Sequence, residues 1–163
     1  MASPIWKKPA PALLRTAAIP AIGGALAIGL MALAARLSGH PVLSYPFTTS
    51  IVLVMAAPQS RPARPRNVVV GHLASAAAGL VTVALLGPSD LSAAIGVGLA
   101  IALMVAADAL HPPAGINALM PSYLPLDWQF LVMPVGLGAL ALVLFAKAYH
   151  RLAGTGSNDG GLT

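Results

Sequence analysis

From Arg15 to Arg36 the chain passes through twenty residues, TAAIPAIGGALAIGLMALAA, without a charged side chain, and runs of this kind fill most of its length. Twenty-four uncharged residues separate Arg36 from Arg61, and twenty-three run from Asn67 to Ser89. Three more follow: seventeen over Leu91–Ala107, eighteen over Ala109–Leu126 and nineteen over Trp128–Ala146. A bilayer core about 30 Å thick is crossed by about 20 apolar residues of helix, within a range of about 17–25. The runs are too long and too rich in Ala and Leu for buried strands. In hydrocarbon, a helix is the structure that satisfies its own backbone within one segment. The expectation is an all-α membrane protein with about five transmembrane helices. Two stretches are weaker. His40, Pro41 and Pro46 shorten the second to about Pro46–Ala57, and Pro112, Pro113, Pro121 and Pro125 break the run from Ala109 to Leu126.

Composition removes the alternatives. Charged residues are 8% of 163 and the four acids include no Glu, whereas a soluble domain carries about 25% charge. Such a chain cannot coat a water-facing surface. With 58% hydrophobic residues, the 16 Gly and 15 Pro do not indicate disorder. The absence of Cys excludes a disulfide scaffold and thiol chemistry, and the absence of Glu removes Glu-based acid–base work. The four His, at 40, 72, 111 and 150, have no metal-ligand spacing. No enzyme activity, metal or cofactor is expected. The net charge of +5 comes from residues flanking the apolar runs, without an aromatic-rich soluble surface, so nucleic acid is not an expected partner.

Lys7, Lys8 and Arg15 precede a run longer than a signal peptide's apolar region of about 7–15 residues, so it reads as a retained first helix. Residues 1–12 are read as a cytoplasmic N-terminal segment, 13–152 as the transmembrane domain and 153–163 as a flexible tail. If the first two segments both span, those three basic residues share the cytoplasmic side with Arg61, Arg64 and Arg66. Five spans would put Lys147 and Arg151 opposite, with Arg36, a six-to-three split. A later re-entrant segment would return them and make the split eight to one. The length of Leu91–Ala107 favours five spans, and the charge rule favours the second arrangement.

Sliding the chain by fifty residues lays IVLVMAAPQSRPARPRNVVV (51–70) over IALMVAADALHPPAGINALM (101–120). Identities include the pairs Pro62/Pro112 and Asn67/Asn117, which composition makes less common by chance than the Ala and Leu pairs. Each copy reads as an apolar helix, a Pro-containing break and an Asn beyond it. Pro removes a backbone donor and stops the preceding helix. Transporters pair such breaks across a solute site, so two Pro-broken helix–loop–helix repeats imply facing half-sites. Two ordinary loops that end in Pro are the plainer alternative.

Asp108 is the acid inside an apolar stretch, with His111 three positions later, on one face if the helix continues. An ionisable group at membrane depth is costly and points to function; the alternative is a polar cap at the helix end. His72, early in the third helix, can donate to an anion or bond a carbonyl at the interface. Arg61, Arg64 and Arg66 either gather anions at a mouth or set topology and touch lipid headgroups, with Arg66 beside Asn67 the best candidate for more. Gly71-x3-Ser75-x3-Gly79 and Gly98-x3-Ala102-x3-Ala106 are small-residue stripes suited to close helix contact, within the chain or between copies.

His111-Pro112-Pro113-Ala114-Gly115, preceded by Asp108 and followed by Asn117-Ala118-Leu119, resembles the signature of the HPP family of integral membrane proteins. PRNVVVGHLASAAAG, Pro65 to Gly79, resembles that family's second landmark, together with Pro58 and the short Arg/Pro loop. The resemblance covers roughly Ala17 to Ala148. It implies a compact domain of four or more spans, and it brings an association with nitrite transport from chloroplast and cyanobacterial members. The combined expectation is transport of a small monovalent anion, nitrite foremost, in the inner membrane of a bacterium. Arg66, Asn67, His72, Asp108, His111 and Asn117 are the expected substrate-binding residues. Pro62, Pro65, Gly71, Pro112, Pro113 and Gly115 are the expected structural motif. Partners are the lipid bilayer, the anion and further copies of the chain. The rivals are a non-transporting assembly or sensor module and a proton or cation channel using Asp108.

Overall fold

A computed structural model describes residues 9–39 and 46–155, and among them every regular element is helical. The expected terminal segments lie partly outside this range, as do His40 and Pro41. Helix α1, Ala10–Ser38, covers the first uncharged run. It stops at Gly39, whose positive φ of 71° lets its N–H reach the Ala35 carbonyl. Helix α2 is short, Thr48–Ala56, and ends before the arginine loop. Helix α3, Pro65–Leu86, starts with Pro65 in its first turn, where no backbone donor is needed. Helix α4, Asp90–Ala106, opens on a capping box in which Ser89 and Ser92 satisfy each other's backbone N–H. A single turn, α5 (Ile116–Leu119), and helix α6 (Leu137–Leu152) complete the set.

Three helical stretches are long and apolar enough to cross a membrane: Thr16–Ser38, Pro65–Leu86 and Leu131–Leu152. The 17-residue α4 is a shorter apolar helix. Five uninterrupted spans are therefore not what the described residues form, and proline is the reason. The run from Ala109 to Leu126 is two 3-10 turns, Pro112–Gly115 and Met120–Ser122, around α5. The last run is also interrupted: Leu131–Gly136 is π-helical, Met133 leaves the helical region, and the Met133–Pro134 peptide is cis. Exposed large apolar side chains cover the outer faces, among them Leu30 and Leu33 of α1, Leu99 and Ile101 of α4 and Leu144 of α6. This is the surface of a chain solvated by lipid.

The contacts give the direction of each segment. A Cβ on Gly71 would meet His111, and one on Gly79 would meet the Ala118 backbone, so the broken segment runs alongside α3 in the same direction. It begins at the end of α4, where Ala109 N–H donates to the Met104 carbonyl. It finishes at the start of α4, where Ser122 bonds Ser92 and the Tyr123 hydroxyl donates to Asp90. The segment thus covers the full length of α4 without being a helix. α6 then returns: Tyr149 donates to the Ile19 carbonyl of α1, and His150 Nε2–H donates to the Val54 carbonyl at the end of α2. Lys147 and Arg151 consequently lie at the arginine-loop end, with Arg61, Arg64 and Arg66, as in the arrangement that the charge rule favours; Lys7 and Lys8 lie outside the described residues.

Half of α3's apolar window is buried, against 11% for α1, so α3 is the axis and α1 the outermost helix. Of the two small-residue stripes, Gly71–Ser75–Gly79 is covered by the broken segment of the same chain, with both glycines in positions where a Cβ would collide. It is not available to a second copy. Gly98, Ala102 and Ala106 face outward.

Candidate functional site

The two breaks lie against each other. After α2 the chain makes a 3-10 turn at Arg61–Ala63, and after α4 it makes another at Pro112–Gly115. The Pro62 carbonyl in the first turn is 2.7 Å from His111 Nδ1, immediately before the second. Asn67, in the first turn of α3, donates to the Leu110 carbonyl at 3.2 Å. Backbone groups freed at one break are met by side chains from the other, as burial away from water requires.

Inside this junction a chain of polar groups is sealed from solvent. Ser50, His72, His111 and Asn117 are each 0% exposed. Ser50 Oγ stands 2.8 Å from His72 Nε2 and 2.8 Å from His111 Nε2, and Asn117 Nδ2 stands 2.7 Å from His72 Nδ1. The hydrogen positions follow from one end. A carbonyl only accepts, so His111 Nδ1 carries a hydrogen and, in the neutral ring, His111 Nε2 accepts. The Ser50 hydroxyl therefore donates to His111, His72 Nε2–H donates to Ser50, and His72 Nδ1 accepts from the Asn117 amide. Five groups, Asn117, His72, Ser50, His111 and the Pro62 carbonyl, form a single directed chain from mid-molecule to the arginine loop. Phe47 covers the His72 ring at a centroid distance of 4.7 Å. The Asn117 Oδ1 and Ser75 Oγ atoms are buried without a hydrogen-bond partner.

His72, His111 and Asn117, expected as substrate-binding residues, thus meet through direct bonds, and Asn67 supports them from the start of α3. Asp108 does not join them. α4 ends at Ala106, and Asp108 takes a left-handed backbone with φ 49°, so residues 108 and 111 do not share a helix face. Its side chain is 74% exposed and pairs with Arg61, not with His111. The group that orients His111 is the Pro62 carbonyl. Arg66 is also engaged elsewhere. Its guanidinium donates to the Ala107 and Asp108 carbonyls at 2.7 and 2.8 Å, closing the end of α4. A cation there complements the helix dipole.

The structural residues divide similarly. Pro62 and Pro112 each sit in a 3-10 turn after a helix, Pro113 follows in the second turn, and Pro65 starts α3. Gly71 is required because a Cβ would come within 2.7 Å of His111 Cβ, whereas at Gly115 a Cβ would meet nothing within 4 Å. Ser50 is not among the residues that the sequence singles out. Its only signal is to be the last of three hydroxyl residues, Thr48, Thr49 and Ser50, that open an apolar helix, TTSIVLVMA. Among the described residues no three His, Cys, Asp or Glu side chains converge as metal ligands.

Comparison with known proteins gives a consistent picture. The family described as HPP, transmembrane region, matches residues 9–158. Two proteins of Dictyostelium discoideum, each named only as a transmembrane protein, are 35% and 34% identical over 115 and 120 residues. Those alignments cover 66% and 69% of this chain but 37% and 42% of the relatives, so the chain spans about two fifths of their length. No solved structure matches.

Proposed function

The chain belongs to the HPP transmembrane family, and from that premise we propose that it carries a small monovalent anion, nitrite first among the candidates, across a membrane by way of the buried Ser50–His72–His111–Asn117 chain. The observation that supports this is the placement of four hydrogen-bonding side chains, each 0% exposed, at the junction of two helix breaks. Buried polar groups in a membrane domain are expensive unless they serve a path or a partner. The core groups carry N–H and O–H donors, which in the closed chain satisfy one another and turn to a solute only when the breaks separate, and the nearest acid in sequence, Asp108, is turned away and paired with Arg61. Donors without a carboxylate suit an anion. Arg61, Arg64 and Arg66 at the open end would raise its local concentration.

The closure of the same chain favours a second reading, a non-transporting assembly or sensor module. Every member is 0% exposed, so a solute enters only if the two breaks separate. Reconstituted proteoliposomes decide between them. On the transport reading, wild-type protein moves nitrite or another anion of a panel, and His111→Ala and Asn117→Ala each lower the flux at least tenfold while the protein stays monodisperse. Unchanged flux in both variants removes these residues from the path, and no flux with any anion favours the module. An inner-membrane location with the arginine end in the cytoplasm belongs to the same proposal, on the excess of Lys and Arg at that end. So does assembly of copies, for which the outward Gly98–Ala102–Ala106 stripe is the remaining small-residue surface.

A further inference from the structure

We propose that Ser50 is a proton relay between His72 and His111, so that each anion crosses with one proton; this rests on the transport reading above. The geometry is that of a hydrogen-bonded wire. Two imidazoles stand with ring centroids 5.2 Å apart, and the Nε2 atom of each is bonded to one shared hydroxyl, Ser50 Oγ, at 2.8 Å on either side. A hydroxyl accepts one proton and donates another, so the bridge passes charge without becoming an ion for longer than the transfer.

The step balances without another reagent. On the transport reading the path opens to each side in turn. When it opens at the end remote from the arginines, Asn117 turns off His72 Nδ1 and a proton from water adds there, making His72 an imidazolium. His72 then gives its Nε2 proton to Ser50 Oγ while Ser50 gives its own proton to His111 Nε2. His72 is left neutral with its hydrogen on Nδ1, and His111 becomes the imidazolium, with hydrogens on both nitrogens. When the path opens at the arginine end, His111 Nδ1 leaves the Pro62 carbonyl and gives its proton to water, which completes the passage. The chain now points the other way, with His111 Nε2–H directed at Ser50.

Asn117 has the features of a switch for this reversal. In the resting chain its amide nitrogen faces His72 Nδ1, and its oxygen is buried without a partner. Once His72 carries its hydrogen on Nδ1, rotation of the amide puts that oxygen on a donor, but it gives up the Asn117 N–H bond to the His72 carbonyl, and the Pro62 carbonyl loses the His111 hydrogen, so the resting chain re-forms after each passage. The stoichiometry follows from proximity: two charged imidazoles this close repel, so the wire holds one extra proton at a time. The other ionisable groups on the surrounding elements are engaged elsewhere. Arg61 pairs with Asp108, Arg66 closes α4, and His150 on α6 is bonded to Val54 and Thr155. Arg64 and Arg151 are exposed at the arginine end, and Lys147 lies on the outer face of α6. A positive charge arriving on His111 thus meets both signs at the mouth, the Asp108 carboxylate included.

The test uses the full chain in proteoliposomes containing a pH-sensitive dye, with nitrite flux measured in parallel. Wild type is expected to move about one proton per nitrite. Ser50→Ala is expected to lose at least tenfold in proton flux under the same nitrite gradient, and Ser50→Thr, which keeps the hydroxyl, to restore it. Nitrite flux without protons in wild type, or an unchanged proton flux in Ser50→Ala, overturns the relay and leaves the transport reading intact. If wild type moves none of the anions of the panel, the transport reading fails by itself, and a potassium–valinomycin potential then drives protons alone. Proton flux lost in Ser50→Ala and retained in Ser50→Thr supports the relay, and equal flux or none in all three overturns it. Nitrogen-15 NMR of histidine-labelled protein is the readout independent of flux: it should find neutral His72 with hydrogen on Nε2 and neutral His111 with hydrogen on Nδ1, and the opposite tautomers overturn the wire.

Discussion

Asp108 and His111 lie three residues apart in sequence, yet one is at the surface and the other is fully buried. Asp108 is a left-handed residue whose carboxylate meets Arg61 in water, where an ion pair contributes about 0–1 kcal/mol. After Gly, Asn and Asp are the residues that tolerate the left-handed conformation best. Asp108→Asn should therefore retain the fold and at least half of the wild-type nitrite flux, and its melting temperature in detergent should fall by no more than a few degrees. Loss of flux comparable to His111→Ala would return Asp108 to the path. Three of the four side chains of the buried chain, His72, His111 and Asn117, are legible in the sequence because His and Asn are rare there and stand within the landmarks that hold the proline-containing breaks. Their arrangement is not. An Asp108–His111 pair requires a helix that persists to residue 111, and the turn at Asp108 ends it earlier. Ser50 gives no warning, since hydroxyls are common in apolar helices and this one matters only through two rings from distant parts of the chain.

At the scale of elements, the HPP segment is a chain of turns held against α3 by glycine. A methyl group at Gly79 would approach the Ala118 carbonyl oxygen to 2.5 Å and its Cα to 2.7 Å, both backbone atoms that cannot swing aside. Gly79→Ala should destabilise the protein by about 1–3 kcal/mol, the usual cost of overpacking, and lower its thermal midpoint in detergent. Gly98→Ala is the control. Its Cβ meets nothing within 4 Å, and in mid-helix Ala is favoured over Gly by about 0.5–1 kcal/mol, so stability should be equal or higher. Equal losses in the two variants would mean that the α3 stripe is not a seat for the broken segment. Both stripes are visible as spacing, but spacing does not say whether a stripe faces the same chain or another surface. Helix ends read more closely: the sequence places the second stretch at about Pro46–Ala57, and α2 is Thr48–Ala56. The interruption at Met133–Pro134 escapes because the run around it is continuously apolar, and hydropathy does not register one missing backbone donor.

For the whole molecule, the decisive question is the side on which the chain ends, and a count of apolar runs does not answer it. An 18-residue stretch broken by four prolines does not read as a spanning helix, so the sequence leaves the side of the C-terminus open. It instead accompanies α3 from Gly71 to Gly79 and reaches Ser92 at the far end of α4, covering the distance with turns that α3 and α4 shield from lipid. Non-helical backbone at this depth is tolerated where protein surrounds it. The consequence is that α1 begins and α6 ends at the arginine-loop end, while the turn between α3 and α4 lies at the other. The absence of Cys makes this measurable without background. Single cysteines at Gln59, Leu152 and Pro88, all exposed positions, should split two against one when sealed right-side-out vesicles meet an impermeant maleimide: Gln59→Cys and Leu152→Cys protected together, Pro88→Cys labelled. Labelling that groups Leu152→Cys with Pro88→Cys would mean that the proline-rich segment turns back within the bilayer. The Pro62–His111 contact would then have to form on a different topology, and the buried chain from Asn117 to the arginine loop would no longer lie on a route between the two faces.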